Sequence, residues 1–232
     1  HGLSLAETRG FAADAAAVEA AGLVLVMSHL ACADEPNHPL NAAQLARFRE
    51  ARGLFPGLAA SLANSAGVFL GPDYHFDLVR PGIATYGGAI VSGEATPMRP
   101  VARLEAKIVQ IREVPAGETV GYGARQTTER PSRLAILSVG YADGFHRAAS
   151  SADGAPGAHG YLHGRFVPLV GRISMDLMAV DVTDAPEARR GDAIELIGEH
   201  VTVQDAAARM GTIDYEVLTS LGRRYARTYR GG

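Results

Sequence analysis

Leu23-Val24-Leu25-Val26-Met27-Ser28-His29 is the stretch whose reading decides the fold. Five apolar residues in a row, with no polar alternation, suit a strand covered on both faces, as in a parallel sheet lined by helices. Gly22 precedes the run, and a polar loop from Ser28 to His38 follows it. Upstream, Ser4-Leu5-Ala6-Glu7 has the spacing of a capping box, and the Ala-rich run behind it predicts one helix to about Ala20. Downstream, Asn41 and Gln44 open a second helix, which ends at Phe55-Pro56-Gly57. Residues 58–62 form a second short apolar strand ending in Asn64-Ser65. A short helix and the turn Gly71-Pro72-Asp73 lead to a third strand at residues 78–80, ending near Pro81-Gly82-Ile83.

Strands alternating with helices, each strand ending in polar residues, predict part of a (β/α)8, TIM-type barrel or a doubly wound sheet. An eight-unit barrel takes roughly 250 residues, so the first 88 residues match three units and about five more are expected elsewhere. After Gly88 the texture changes. A linker rich in Pro, Gly and Ser at 90–100 leads into period-2 strands at 103–114, 134–140, 166–173, 178–182 and 193–197. Thr202 with Asp205 caps a short helix, Asp214 starts another, and residues 224–229 read as a final strand. The expected organisation is therefore α/β followed by a predominantly β domain. Residues 1–88 are the last three units of a barrel, and 89–232 the C-terminal β domain.

Composition narrows the function. The chain is 47% hydrophobic and 20% charged, as in soluble globular proteins. No apolar run reaches the ~20 residues that span a bilayer, and no basic-then-apolar leader pattern is present. A net charge of -3 does not provide a nucleic-acid surface. One cysteine, Cys32, excludes an internal disulfide framework and suits a reducing, cytoplasmic setting. No P-loop, dinucleotide fingerprint, Cys-x-x-Cys or Gly-x-Ser-x-Gly elbow occurs. His159 and His163 are four apart, but Gly160 and Gly164 argue for a loop pair rather than a zinc helix, and no metal site is expected.

The polar strand ends carry the chemistry. His29, Asn64-Ser65 and Arg80-Pro81-Gly82-Ile83 fall at the C-terminal ends of successive strands, where β/α barrels place their active sites. A hydroxyl at Ser65 beside the amides of Gly82 and Ile83 would suit a phosphate. Singly, each residue has a plainer reading: a core histidine, a helix N-cap, an arginine paired with Asp77. In the second half, Tyr122 lies between two glycines in Val120-Gly121-Tyr122-Gly123-Ala124, so its ring can project and other groups can approach closely.

These motifs also carry a resemblance. Ser28-His29-Leu30-Ala31-Cys32-Ala33-Asp34-Glu35, Ala63-Asn64-Ser65-Ala66, Val79-Arg80-Pro81-Gly82-Ile83-Ala84-Thr85-Tyr86-Gly87, Val120-Gly121-Tyr122-Gly123-Ala124, Gly140-Tyr141-Ala142-Asp143-Gly144, Gly171-Arg172-Ile173-Ser174-Met175-Asp176 and Ile213-Asp214-Tyr215-Glu216-Val217 are similar, in order and spacing, to the signatures of alanine racemases. The resemblance implies an isomerase that interconverts L- and D-alanine by a two-base mechanism, supplying D-alanine for peptidoglycan. It implies pyridoxal 5'-phosphate held in the barrel, with Ser65, Gly82, Ile83 and Tyr215 at the phosphate. Arg80 would face the pyridine nitrogen, and His29 and Asn64 would lie beside the cofactor. A guanidinium does not deprotonate in proteins, so it leaves that nitrogen unprotonated and makes the ring a weaker electron sink.

Tyr122 matches the family's catalytic base on one face of the substrate. Free phenols, with pKa about 10, are poor bases at neutral pH, so a His29–Arg80 pair is expected to assist. The Met175 backbone would bind the substrate carboxylate, with Tyr141 and Arg147 as entrance residues. By the same resemblance Tyr122 and Met175 serve the cofactor of the partner subunit, in a head-to-tail homodimer with shared sites. The family's other base, the Schiff-base lysine, lies at the end of the first barrel strand, ahead of the residues matched here. Lys107, the only lysine, sits among expected β strands. The chain alone is therefore expected to be inactive without the missing half of the barrel. A non-catalytic fragment, or a serine-preferring or broad-specificity racemase of the same fold, stand as alternatives.

Overall fold

The computed structural model describes residues 2–231. They form two compact units that divide between Met98 and Arg99, inside the Pro/Gly/Ser stretch.

In the first unit the capping box forms: Ser4 Oγ accepts from the Glu7 amide and the Glu7 carboxylate accepts from the Ser4 amide. The expected single helix is two, α1 (Leu5–Ala13) and α2 (Ala15–Ala21). Asp14 divides them because its side chain caps α2 by accepting from the Ala17 amide at 3.0 Å. A short polar side chain offered the backbone a partner and broke the ladder. Strand β1 (Leu25–Met27) then pairs in parallel with β2 (Ala59–Ser61), in the register Leu25↔Ala59. Between them runs α3 (Pro39–Gly53), N-capped by His38. Helix α4 (Ser65–Phe69) follows β2 with Asn64 as its N-cap.

The third expected strand does not form. Residues 78–80 run beside the end of β2, with Leu78 N donating to Ala60 O and Arg80 N to Ala63 O, but no ladder develops. The approach is the reason. A 3-10 turn at Pro72–Tyr74 and a left-handed Phe76 (φ 52°) bring the amides of Asp77 and Leu78 onto one carbonyl, Ala60. The core of this unit gathers Leu30, Leu45, Phe48, Ala60, Leu62 and Ala84.

The second unit is built on a closed antiparallel barrel. Its strands are β3 (Leu104–Val114), β6 (Ser132–Leu137), β7 (His159–Leu162), β8 (Arg165–Val170), β9 (Met178–Asp181) and β10 (Ala193–Ile197). They are arranged β10-β3-β6-β9-β8-β7 and closed by Glu195 opposite Tyr161. A small ribbon, β4 (Thr119–Val120) with β5 (Gln126–Thr127), carries the Tyr122 loop at its tip. Leu104, Ala106 and Ile108 alternate inward along β3 and exposed residues outward, as a half-buried strand should. Lys107 is one of the outward residues.

Two helices follow β10. The Thr202–Asp205 capping box starts α5 (Val203–Met210), and α6 (Asp214–Ser220) packs against it. Two expectations are corrected. His159 is not in a loop but opens β7, and His163 sits in the β7–β8 turn at φ 45°. Residues 224–229 form no strand, and Tyr229 is left open to solvent.

Candidate active site

In the first unit, His29 and Asn64-Ser65 lie just beyond the C-terminal ends of β1 and β2, and hydrogen bonds join these strand ends to Arg80 and Gly82, at and just past the 78–80 segment. Arg80 reaches across both strands, donating to the Ser28 carbonyl at 2.6 Å and to the Ser61 hydroxyl. Its guanidinium is therefore held by neutral partners, and no carboxylate is paired with it among the described residues. Asp77, its alternative partner, bonds the Ala60 amide and Arg52 instead. His29 does not pair with Arg80. Its Nε2 lies 3.3 Å from the Asn64 carboxamide nitrogen, which also donates to Leu30 O. Because Asn64 must cap α4 through its oxygen, at 2.9 Å from the Gly67 amide, its NH2 group is turned back toward His29. Gly67 packs closely there: a Cβ would come within 2.7 Å of Leu30 Cδ1, which would have to move aside.

Ser65 is buried and accepts from the amides of Gly82 (2.8 Å) and Ala84 (3.2 Å). With two amides on its lone pairs, the hydroxyl proton is left for a further acceptor. The Ile83 amide, between them in sequence, finds no acceptor among the described residues. Because Ser65 bonds the amides on either side of Ile83, a buried O–H and a free N–H are brought together without an acceptor. That donor set suits an anion such as a phosphate. The Gly82 amide is already committed to Ser65.

In the second unit, the Tyr122 loop is explained by what touches its glycines. Gly121 and Gly123 both have φ 76°, a left-handed conformation. A Cβ on Gly121 would stand 3.0 Å from the Arg172 amide nitrogen, and one on Gly123 3.1 Å from the Arg172 guanidinium. The loop is seated on Arg172, while the Tyr122 ring between the glycines is 69% exposed. Beside it lies a cleft of about 450 Å³ lined mainly by Val120, Ile136, Val170, Leu177, Met178 and Ala179. Arg125, Arg147 and Arg172 line a second pocket of about 320 Å³ with no acidic residue in its wall. Sequence reasoning reached Arg147 and missed Arg125 and Arg172. The paired glycines around Tyr122 were the signal that a bulky neighbour lay beneath.

Tyr141 and Met175 are on adjacent turns. Tyr141 N donates to Ser174 O at 3.0 Å and Ala142 N to Met175 O at 2.9 Å. The Met175 amide has no acceptor among the described residues, so this turn too presents an open N–H. Tyr215 is in the first turn of α6, with its side chain largely exposed.

The class is that of a two-unit protein, an α/β unit with an anion-ready set of donors followed by a six-stranded barrel that presents an exposed tyrosine and an open amide. Residues 1–89 match the family model described as alanine racemase, N-terminal domain, and residues 101–229 the model described as alanine racemase, C-terminal domain. The chain belongs to the alanine racemase family. It is 56% identical over 239 residues to an alanine racemase of Rhizobium meliloti, covering all of this chain and 63% of that protein. It is 55% identical to a biosynthetic alanine racemase of Agrobacterium fabrum, covering 89% of this chain and 55% of the relative. Among solved structures, an alanine racemase of Bartonella henselae with covalently bound pyridoxal phosphate superposes with a TM-score of 0.87 at 41% identity, covering 98% of this chain and 62% of that one. The biosynthetic enzyme of Pseudomonas aeruginosa gives 0.89 at 39%, over 99% and 63%. The chain thus spans about three-fifths of the length of these relatives.

Proposed function

We propose that this chain is the larger part of a pyridoxal-phosphate-dependent alanine racemase, interconverting L- and D-alanine and supplying the D-isomer for cell-wall peptidoglycan. The observation that carries the reading is the pair of open donors at Ser65 and Ile83, on the same unit as an Arg80 held only by neutral oxygens. The residues fit the cofactor. Ser65 and the Ile83 amide would hold its phosphate together with Tyr215, the Gly82 amide serving to orient Ser65, and Arg80 would donate to its ring nitrogen, with His29 and Asn64 alongside. When bound, the cofactor supplies an electron sink that makes the substrate's Cα–H acidic.

The chain's own residues would serve one face of the substrate and the cofactor's surroundings. Arg80, always protonated, gives a hydrogen bond without giving up a proton, which keeps the ring a moderate sink and favours proton exchange over side reactions. Tyr122 removes or returns the Cα proton on one face, a role that needs a projecting and accessible phenol. The open Met175 amide receives the substrate carboxylate. Tyr141 and Arg147 narrow the entrance and favour a small side chain. The domain reading is that residues 1–88 belong to a larger (β/α)8 barrel, whose other units pair with the free edge of β1, and that 89–232 form the β domain. In a cytoplasmic homodimer, Tyr122 and Met175 serve the cofactor of the partner subunit.

The test is Tyr122→Phe in the full-length protein. Loss of a positioned general acid–base group should lower kcat by about 10²–10⁴-fold, while the cofactor's visible absorbance persists. Racemisation at the parental rate would remove Tyr122 from the reaction.

A further inference from the structure

Arg224 was not among the residues that the sequence pointed to, yet it joins the turns that carry Met175 and Tyr141. Its Nη2 donates to Asp176 Oδ1 at 2.7 Å, and its Nε lies 3.3 Å from Asp143 Oδ1. Asp143 is buried, and its other oxygen accepts from the Gly140 amide at 2.9 Å. The Asp143 carbonyl receives the Gly222 amide at 3.0 Å. One guanidinium therefore ties the 140–144 turn, the 174–177 turn and the segment after α6.

We propose that Arg224 is a positioning residue for substrate carboxylate binding: it fixes the turn bearing the open Met175 amide and neutralises Asp176, the next residue along. The proposal rests on the reading of Met175 as the carboxylate subsite. Two charges drive it. Asp143 is buried, and a buried carboxylate without a cation is costly. Asp176 is exposed and directly follows Met175, so uncompensated it would repel an incoming carboxylate. A fork-shaped cation that serves both at once meets both needs, and a lysine could not span them with the same geometry.

The experiment uses the full-length holoenzyme, with alanine as substrate and propionate as a carboxylate probe that lacks the amino group. Arg224→Gln should raise both KM for alanine and Kd for propionate about tenfold, as expected for an exposed like charge a few ångströms from an anion site, with kcat changed far less. Amide hydrogen exchange at residues 174–177 should quicken. Adding Asp176→Asn to Arg224→Gln should recover most of the lost affinity, because the repelling charge is gone. A merely structural role predicts no such recovery. If Arg224→Gln does not fold, Asp176→Asn alone decides, and an unchanged or lower KM is expected. A tenfold rise in KM for that single variant, failure of the double variant to recover affinity, or a loss confined to kcat would each overturn the proposal. If the parental protein neither racemises alanine nor binds propionate, the functional reading itself fails, and the role of Arg224 fails with it for a distinguishable reason.

Discussion

Gly140 is the residue on which the carboxylate end of the site depends. A Cβ built there would lie 2.3 Å from Met175 O and 2.4 Å from Ser174 O, both backbone atoms that cannot step aside as a flexible side chain would. The close approach permits the two hydrogen bonds from Tyr141 and Ala142 into the 174–177 turn. Gly140→Ala must push those backbones apart. It should destabilise the second unit by about 1–3 kcal/mol, the usual cost of overpacking, and weaken carboxylate binding at the same time. Chemical denaturation with tryptophan-free fluorescence or circular dichroism would measure the first effect. A variant as stable as the parent would show that the turns are not held in contact. Arg172 makes the complementary point under the Tyr122 loop, where small neighbours are required because a large one is beneath.

At the scale of elements, the turn after β10 has a pH response built into it. Glu195 is 4% exposed. Burial alone would raise its carboxyl, but the amides of Val201 and His200, with the His200 side chain, outweigh that and hold it below the ordinary carboxylate value. A group whose folded pKa is depressed stabilises the fold above its unfolded pKa and loses that contribution as pH falls through the folded value. The loss should thus begin near the ordinary value of 4.5 and be complete only below it. Thermal unfolding of Glu195→Gln should be less stable than the parent at neutral pH, with the gap closing as pH drops through that window. A gap independent of pH would mean that the carboxylate charge contributes nothing.

The same scale shows what was legible in the sequence. Strands with inward–outward alternation, such as β3, and helices with a capping box, such as α5, could be read because their signals are local. β7 could not: His159-Gly160-Tyr161-Leu162 carries little strand character, and it is pairing with β8 and β10 that makes it one. Residues 78–80 erred in the other direction, being apolar enough for a strand but steered off the ladder by the preceding turn. The site divides in the same way. Tyr122, Met175 and Ser65 stand in distinctive motifs; Arg172 and Asp143 stand in such motifs too, but what they do, like what Arg224 does, comes from contacts between distant segments that spacing does not encode.

Across the whole molecule, stability and chemistry are unevenly shared. In residues 99–232 every strand of the barrel has two neighbours, and the core runs from Leu104 and Ile108 through Val180 to Ile194 and Val217. A closed barrel leaves no edge to aggregate. The first unit contrasts with it: its sheet is two strands of three residues each, Val24 is 82% exposed and Met27 57%, and one edge of β1 has no partner among the described residues. Two short strands are marginal even with a helix packed on them, and apolar residues beside an open edge favour association. Residues 99–232 produced alone should therefore unfold in a single cooperative transition, whereas residues 1–98 produced alone should aggregate or melt without one. Calorimetry and size-exclusion chromatography on the two pieces would check this. A monomeric, cooperatively folding first unit would mean that Leu30, Phe48 and Leu62 suffice as a core without further sheet. Failure of the second unit to fold would mean that the barrel, closed as it is, depends on contacts from outside itself.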